Sequence, residues 1–231
     1  PLIFRATPQW FISMESNNLR TTALKEIEKV NWFPKQGKNR IYSMIEERPD
    51  WVVSRQRAWG VPLSIFYKIE TGEVLVDKKL NQKIVNLYEN EGSDAWFKYT
   101  KEELLGSKYN PDEYAKVNDI LDVWFDSGCT HAFVLDGKEN QIWPASIYLE
   151  GTDQHRGWFH SSLLESCGTR GIAPYESVLT HGFVLHEDGL KMSKSSSNIV
   201  SPTEIVDKSG ADILRLWVAS SDYSEDLKIG P

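Results

Sequence analysis

Short apolar runs and helical-period stripes alternate over residues 1–62. The aromatic and branched residues at 8–14 are typical of a short buried strand. Apolar residues at helical spacing predict a helix over about 16–30 and a second short helix over about 38–47. The run DWVVSRQRAWGVP at 50–62 predicts an apolar strand that ends in a polar turn bounded by glycine and proline.

Residues 63–117 have a different character, because they are rich in lysine and glutamate. The segment LSIFYKIETGEVLVD predicts a hairpin that turns at Thr71 and Gly72. Helices are predicted near 79–91 and 101–106. We interpret this stretch as an inserted module rather than as part of a central core.

The pattern from residue 118 onward is that of an open α/β sheet. An apolar strand at 145–151, a helix at 153–171 and a strand at 176–187 predict a βαβ unit with parallel strands and a right-handed crossover. Ligands bind such sheets beyond the carboxyl ends of the strands. A final helical segment over 202–220 is predicted to break at Gly210.

Composition narrows the class of protein. The 231 residues are 40% hydrophobic and 26% charged, which is enough for a packed core and unlike a disordered chain. No apolar run approaches the roughly 18 residues of a transmembrane helix. The only cysteines, Cys129 and Cys167, exclude a disulfide scaffold and a four-cysteine zinc site. These features predict a soluble protein of a reducing compartment, and the net charge of −7 argues against nonspecific coating of DNA.

A polar loop with the letters KMSKS follows the last predicted strand of the sheet. Its two lysines, Lys191 and Lys194, and its neighbouring hydroxyls suit a polyphosphate whose charge must be held as it departs. Gly189 would allow the loop to close over a substrate. Taken in isolation, two lysines are also typical of an ordinary solvated loop.

A second group of polar residues lies where the strand at 145–151 ends and the next helix begins. Carboxylates and an amide there suit a ribose diol and an α-ammonium group, and the residues concerned are Glu150, Gly151, Asp153 and Gln154. The alternatives are that Asp153 is a helix N-terminal residue, that Trp158 belongs to the core, and that His155 is structural.

The string DVWFDSG at 122–128 predicts a sharp turn that presents Trp124 to a pocket, with a core tryptophan as the alternative. The sequence contains neither a P-loop nor a G-x-G-x-x-G fingerprint. Any nucleotide chemistry is therefore neither that of a P-loop nor that of a dinucleotide-binding fold.

Six segments in order along the chain carry a resemblance to a known family. They are SRQRAWGVP (54–62), LDVWFDSG (121–128), YLEGTDQHRGWF (148–159), LTHGFV (179–184), KMSKS (191–195) and GADILRLWVAS (210–220). The chain resembles the class I aminoacyl-tRNA synthetases, and within them the bacterial isoleucyl-tRNA synthetases rather than the valine or leucine enzymes.

The resemblance implies a Rossmann-like catalytic core that joins isoleucine to ATP, carried with Mg²⁺, and then passes the isoleucyl group from the adenylate to tRNA(Ile). By position, it implies that the adenylate is bound by Glu150, Gly151, Asp153 and Gln154, and that the isoleucine side chain lies between Trp124 and Trp158. It further implies that the adenine is bordered by His181, Gly182, Phe183 and Val184, and that the phosphates are stabilised by Lys191 and Lys194. Lys194 is the residue expected to contact ATP most directly.

The implied fold class is α/β, a Rossmann-like parallel sheet with a small α+β insertion and a helical C-terminal segment. We divide the chain into a core segment that would follow an editing domain, an inserted module, the second half of the Rossmann core, and the KMSKS loop with its following helices. The boundaries are 1–62, 63–117, 118–188 and 189–231.

The sequence also departs from the family pattern. It lacks the His-x-Gly-His element of the class and the editing and anticodon-binding parts, and 63–117 has no cysteine for the zinc site of some relatives. We therefore expect the C-terminal half of a catalytic domain from a cytoplasmic enzyme, inactive alone, without zinc or membrane contact. A non-catalytic nucleotide- or tRNA-binding fragment and a valine- or leucine-activating relative are the alternatives.

Overall fold

The computed structural model describes residues 2–3, 5–193 and 199–230. In chain order its helices are α1 (Leu19–Ile27), α2 (Gln36–Glu46), α3 (Lys78–Glu91), α4 (Ala95–Lys98), α5 (Lys101–Leu105), α6 (Val123–Gly128), α7 (Trp158–Arg170), α8 (Pro202–Ser209) and α9 (Ala211–Ser220). The strands are β1 (Phe11–Ile12), β2 (Asn31–Phe33), β3 (Trp51–Val52), β4 (Ser54–Arg55), β5 (Phe66–Lys68), β6 (Tyr114–Lys116), β7 (Ile120–Leu121), β8 (Tyr148–Gly151), β9 (Ser177–His181), β10 (Val184–His186) and β11 (Leu227–Ile229).

The chain divides into two compact units. The first unit combines residues 1–14 with 49–127, and the second combines 15–48 with 128–231. No helix in the described part of the chain is long and apolar enough to cross a membrane.

The first unit consists of antiparallel strand pairs and a helical cluster. Strand β1 pairs with β3, β4 with β7, and β5 with β6. The cluster packs around Trp96, which is fully buried and donates its indole N–H to the carbonyl of Val117 at 2.8 Å. The predicted turn at Thr71 and Gly72 is present, since Lys68 N–H bonds to Glu73 O, but the main partner of β5 is the distant β6.

The second unit is built on a parallel sheet in the order β2–β9–β8. The parallel pairing of β8 and β9 on either side of α7 confirms the predicted strand–helix–strand order. One face of the sheet is buried and carries Trp32, Val178 and Tyr148 side by side in register. Helix α7 packs in this core, and its residues from Phe159 to Cys167 are all buried.

The single strand predicted at 176–187 is wrong. Strand β9 ends at His181, and β10 pairs with β11 in a separate two-stranded sheet. The break occurs because Gly182 N–H bonds to Tyr223 O at 2.8 Å and Phe183 N–H bonds to the carboxylate of Asp226 at 2.7 Å. These two donors are therefore not available to the β8–β9 sheet.

Several predicted boundaries also change. Helix α1 begins at Leu19, because Asn17 and Asn18 adopt positive φ angles of 54° and 58° in the turn before it. The segment predicted as a turn around Trp124 is helix α6. The helix predicted from residue 153 begins as the 3-10 turn Thr152–Arg156, and α7 starts at Trp158.

The predicted break at Gly210 is confirmed, because this residue separates α8 from α9. Its φ of +85° belongs to the left-handed region that side chains rarely adopt. An apolar groove of about 490 Å³ lies between α8, α9 and β11. It is lined by Ile205, Ile213, Leu214, Trp217 and Ile229 among others.

Candidate functional site

The carboxyl ends of β8 and β9 meet at one edge of the parallel sheet. Gly151 and His181 are register partners there, as expected from the direction of the strands. A side chain at Gly151 would place its Cβ 2.7 Å from Asp153 Oδ1 and 3.7 Å from His181 Cε1. The backbone at Gly151 is therefore closely lined by two of the predicted site residues, and no larger residue fits there unchanged.

The turn after β8 is organised by Gln154. Its side-chain carbonyl accepts the N–H of Trp158, the first residue of α7, at 2.9 Å, and its amide nitrogen donates to Asp153 Oδ2 at 3.1 Å. The side chain of Gln154 thus bridges the helix start and the Asp153 carboxylate. Asp153 itself is exposed, as is Glu150, so both carboxylates face solvent at the sheet edge.

His155 lies inside this turn rather than on its surface. Its ring is 1% exposed and Nδ1 donates to the carbonyl of Thr152 at 2.8 Å. Burial is the main cause that lowers the pKa of His155, which favours the neutral imidazole. This geometry supports the structural interpretation of His155 over a role as an acid or base in contact with substrate.

Trp158 is half-buried and stacks on Tyr148, with ring centroids 4.0 Å apart and planes 6° from parallel. Tyr148 is in turn fixed by a hydrogen bond of 3.1 Å between its hydroxyl and Ser162. The other predicted pocket residue, Trp124, is 44% exposed on α6 and belongs to the first unit. In that unit the backbone N–H of Trp124 donates to the carboxylate of Asp122, which also forms an ion pair with Arg55.

The segment from His181 to Val184 is held by the chain near its C-terminal end. A Cβ at Gly182 would lie 2.3 Å from the backbone oxygen of Glu225, so this position has no space for a side chain. Phe183 is half-buried, and Val184 is 40% exposed at the start of β10. His181 is half-buried and bonds through Nδ1 to the carbonyl of Gly182 at 2.8 Å.

Lys191 lies directly beside this segment. Its ammonium group is 5.2 Å from the centroid of the Phe183 ring, within the range of a cation–π contact. The position is set by a turn in which His186 N–H bonds to Leu190 O and Leu185 bridges to Lys191. Lys194, the other predicted phosphate-binding residue, lies outside the described residues.

Two residues at this edge were missed by sequence reasoning. Arg40, on α2, donates from Nη1 to the hydroxyl of Thr152 at 2.9 Å, and Asp226 binds the N–H of Phe183. Both act across a large sequence separation and belong to no motif, so no local spacing signals them. Within the described part of the chain, no cluster of three or more His, Cys, Asp or Glu residues is arranged to hold a metal ion.

Comparison with known proteins identifies the family. Residues 2–230 match the model of the tRNA synthetases class I (I, L, M and V). The chain belongs to this family. The match extends over nearly the whole sequence and confirms the resemblance carried by the six segments.

Among curated relatives of this synthetase family member, the isoleucine–tRNA ligase of Pelagibacter ubique (strain HTCC1062) is 62% identical over 229 residues, which are 99% of this chain and 25% of that protein. The isoleucine–tRNA ligases of Syntrophotalea carbinolica and Zymomonas mobilis subsp. mobilis are 57% and 56% identical over 99% of this chain and 25% of their own length. The chain therefore spans about a quarter of the length of these relatives.

Solved structures agree on the fold. A Mycobacterium tuberculosis methionyl-tRNA synthetase in complex with methionyl-adenylate aligns with 96% of this chain and 35% of its own, at a TM-score of 0.57 and 18% identity. An Agrobacterium radiobacter K84 LeuRS–tRNA–LeuAMS complex aligns with 79% and 26%, at 0.56 and 20% identity. These likenesses confirm the predicted α/β, Rossmann-like fold class of a class I synthetase.

Proposed function

We propose that this chain is the part of an isoleucine–tRNA ligase that binds ATP and isoleucyl-adenylate, within a longer enzyme that charges tRNA(Ile). The observation that carries the proposal is the register of Gly151 with His181, because it brings the turn after β8 beside the segment that leads to Lys191. The relatives at 55–62% identity are named isoleucine–tRNA ligases, and we propose isoleucine as the amino acid on that basis.

Activation of isoleucine needs positioning and charge stabilisation more than a base. The carboxylate of isoleucine is already a nucleophile, and its oxygen attacks the α-phosphorus of ATP. The P–O bond to the β-phosphate breaks, pyrophosphate leaves with its electron pair, and isoleucyl-adenylate remains. The adenylate is afterwards attacked by a hydroxyl of the terminal adenosine of tRNA(Ile), which releases AMP.

The exposed carboxylates at the sheet edge suit the cationic and hydroxyl groups of the adenylate. Asp153 and Glu150 accept hydrogen bonds from the ribose or from the α-ammonium group, and Gly151, which has no side chain, leaves room for the Asp153 carboxylate beside the adenylate. Gln154 holds Asp153 in place through their 3.1 Å bond. The segment His181–Val184 borders the adenine in this proposal.

The positive charge in the site comes from the loop after β10. Lys191, which rests over Phe183, moves onto the phosphates and balances the charge that develops on pyrophosphate. Lys194 serves the same purpose in the KMSKS string. Trp158 borders the isoleucine side chain, and ATP brings Mg²⁺ with it.

One departure favours a narrower role for the chain when it is taken alone. The sequence has no His-x-Gly-His element, and it spans about a quarter of its relatives. We therefore propose that the isolated chain binds adenylate weakly and does not catalyse exchange. The complete activity belongs to the longer protein.

The test is amino-acid-dependent exchange of pyrophosphate into ATP by the full-length protein that contains this chain. Exchange should depend on isoleucine, with Lys191→Ala lowering kcat by about 100-fold, as expected for loss of a charged transition-state contact. Asp153→Asn should raise KM for ATP or isoleucine. Lys208→Ala, which removes a lysine from the end of α8, is the matched control and should leave exchange unchanged. Exchange that depends on valine or leucine, or none with any of the three, would contradict the proposal.

A further inference from the structure

We infer that His155 is a positioning residue, which fixes the adenylate-binding turn by one hydrogen bond from Nδ1 to Thr152 and is itself fixed by α2. The inference rests on the proposed function only for what the turn binds. Thr152 lies between Gly151 and Asp153, so its placement sets the direction of both. His155 itself does not contact substrate, since it is 1% exposed.

The hydrogen-bond pattern assigns the polar role of the ring to one atom. Nδ1 donates to Thr152 O at 2.8 Å, whereas Nε2 is buried with no hydrogen-bond partner in the described part of the chain. Nε2 instead faces Gly37 on α2, where an added Cβ would lie 2.8 Å away. The imidazole is therefore neutral, with its proton on Nδ1.

The ring is held in this orientation from both sides. It stacks against Trp32 of β2, with centroids 6.1 Å apart at 28°, and meets Phe159 of α7 edge-on at 5.6 Å. Glycine is required at position 37 for space, because a Cβ there would lie 2.8 Å from His155 Nε2 and would displace the imidazole. The turn is thus tied to the sheet and to two helices through one residue.

Helix α2 reaches the same residue by a second route. Arg40, one turn after Gly37, donates to the hydroxyl of Thr152 at 2.9 Å. His155, whose ring lies against Gly37 of α2, holds the carbonyl of Thr152, and Arg40 of α2 holds its hydroxyl, so two polar groups of this residue are fixed. Asp153, the next residue along the chain, is exposed, and its carboxylate is bonded by Gln154.

Two substitutions separate positioning from packing. His155→Leu replaces the imidazole with an apolar side chain of similar volume and removes the donor, so folding should be retained while the turn loosens. His155→Asn keeps an N–H near the place of Nδ1 but leaves a cavity. A positioning role therefore predicts that stability and activity rank the two variants in opposite ways. The leucine variant should have the higher melting temperature, and the asparagine variant should have the higher activity. A purely structural role predicts the same order for both properties.

The measurements use the full-length enzyme. The rate of deuterium uptake by a peptide covering 150–157 should rise about tenfold in His155→Leu, as expected for loss of one hydrogen bond. The value of kcat/KM for isoleucine-dependent exchange should fall by a similar factor, through a higher KM. His155→Asn should restore both to within about threefold of wild type. Unchanged uptake in the leucine variant, or matching orders of stability and activity, would overturn the inference.

Arg40→Met supplies a second test that does not disturb the core, because Arg40 is exposed. This substitution should raise the rate of deuterium uptake by the same peptide about threefold, because it removes the hydrogen bond to Thr152. Arg20→Met is the matched control, since Arg20 donates at 2.6 Å to Ile45 O near the other end of α2. That variant should leave the turn and the KM values unchanged. If the turn loosens as predicted while wild-type exchange does not depend on isoleucine, the proposed function fails and the positioning role stands.

Discussion

Acid should destabilise the second unit through His160. This residue of α7 is 4% exposed, and burial first, then the nearby Arg48 guanidinium, lower its pKa from 6.5 to about 3. The folded state therefore keeps His160 neutral at pH values where the unfolded chain takes up a proton. The neighbouring Arg156 acts in the same direction.

The sign and size of the effect follow from proton linkage. Because the folded pKa is depressed, the stability contributed by a neutral His160 is fully present above pH 6.5 and is lost as the pH falls towards 3. Each unit of pH in that window costs about 1.4 kcal/mol per proton. Between pH 7.5 and 5.0 the free energy of unfolding should therefore fall by about 2 kcal/mol from this residue. Burial also lowers the pKa of His131 and His155, which adds to the slope.

Urea unfolding followed by tryptophan fluorescence at pH 7.5 and 5.0 measures this loss. His160→Leu should remove about 2 kcal/mol of the pH dependence while the slopes from the other buried histidines remain. His186→Gln is the control, because His186 lies in the partly exposed turn beside Asp188 and should behave as wild type. Equal losses of stability in wild type and His160→Leu would refute this account of His160.

Three further predictions concern the second unit. Gly182→Ala should lower the melting temperature, because its Cβ would meet Glu225 O at 2.3 Å and backbone must move. Asp226→Ala should lower kcat for exchange severalfold by freeing the N–H of Phe183, whereas Asp226→Asn, which keeps an acceptor, should not. Cys167, buried and with its pKa raised to about 12 chiefly by burial, should resist iodoacetamide at pH 8 until the protein unfolds.

The strand–helix–strand unit was predictable because its signals are local. Helix α7 carries its own apolar period, and the polar residues at the carboxyl ends of β8 and β9 follow from the rule for parallel sheets. The end of β9 was not predictable in this way. It depends on Tyr223 and Asp226, about 40 residues further along the chain, which take the donors of Gly182 and Phe183.

The candidate site shows the same division. The types and places of Glu150, Gly151 and Asp153 were read from the motif, and the structure brings them to one edge with His181. The contacts that orient these residues could not be read from the motif, since Arg40 is 112 residues away from Thr152 in the sequence. A motif records which groups are present, whereas their support comes from tertiary contacts that no spacing encodes.

The other face of the parallel sheet in the second unit carries exposed apolar side chains. Phe33, Leu179 and Leu149 form a row in register on this face, and Phe33 and Leu149 are each 54% exposed. Parallel strands with unbroken apolar runs, such as 147–149, are those covered on both faces. In the described residues only the face with Trp32 is buried. The exposed row is therefore an apolar surface of the kind that a second layer covers in a parallel sheet buried on both faces.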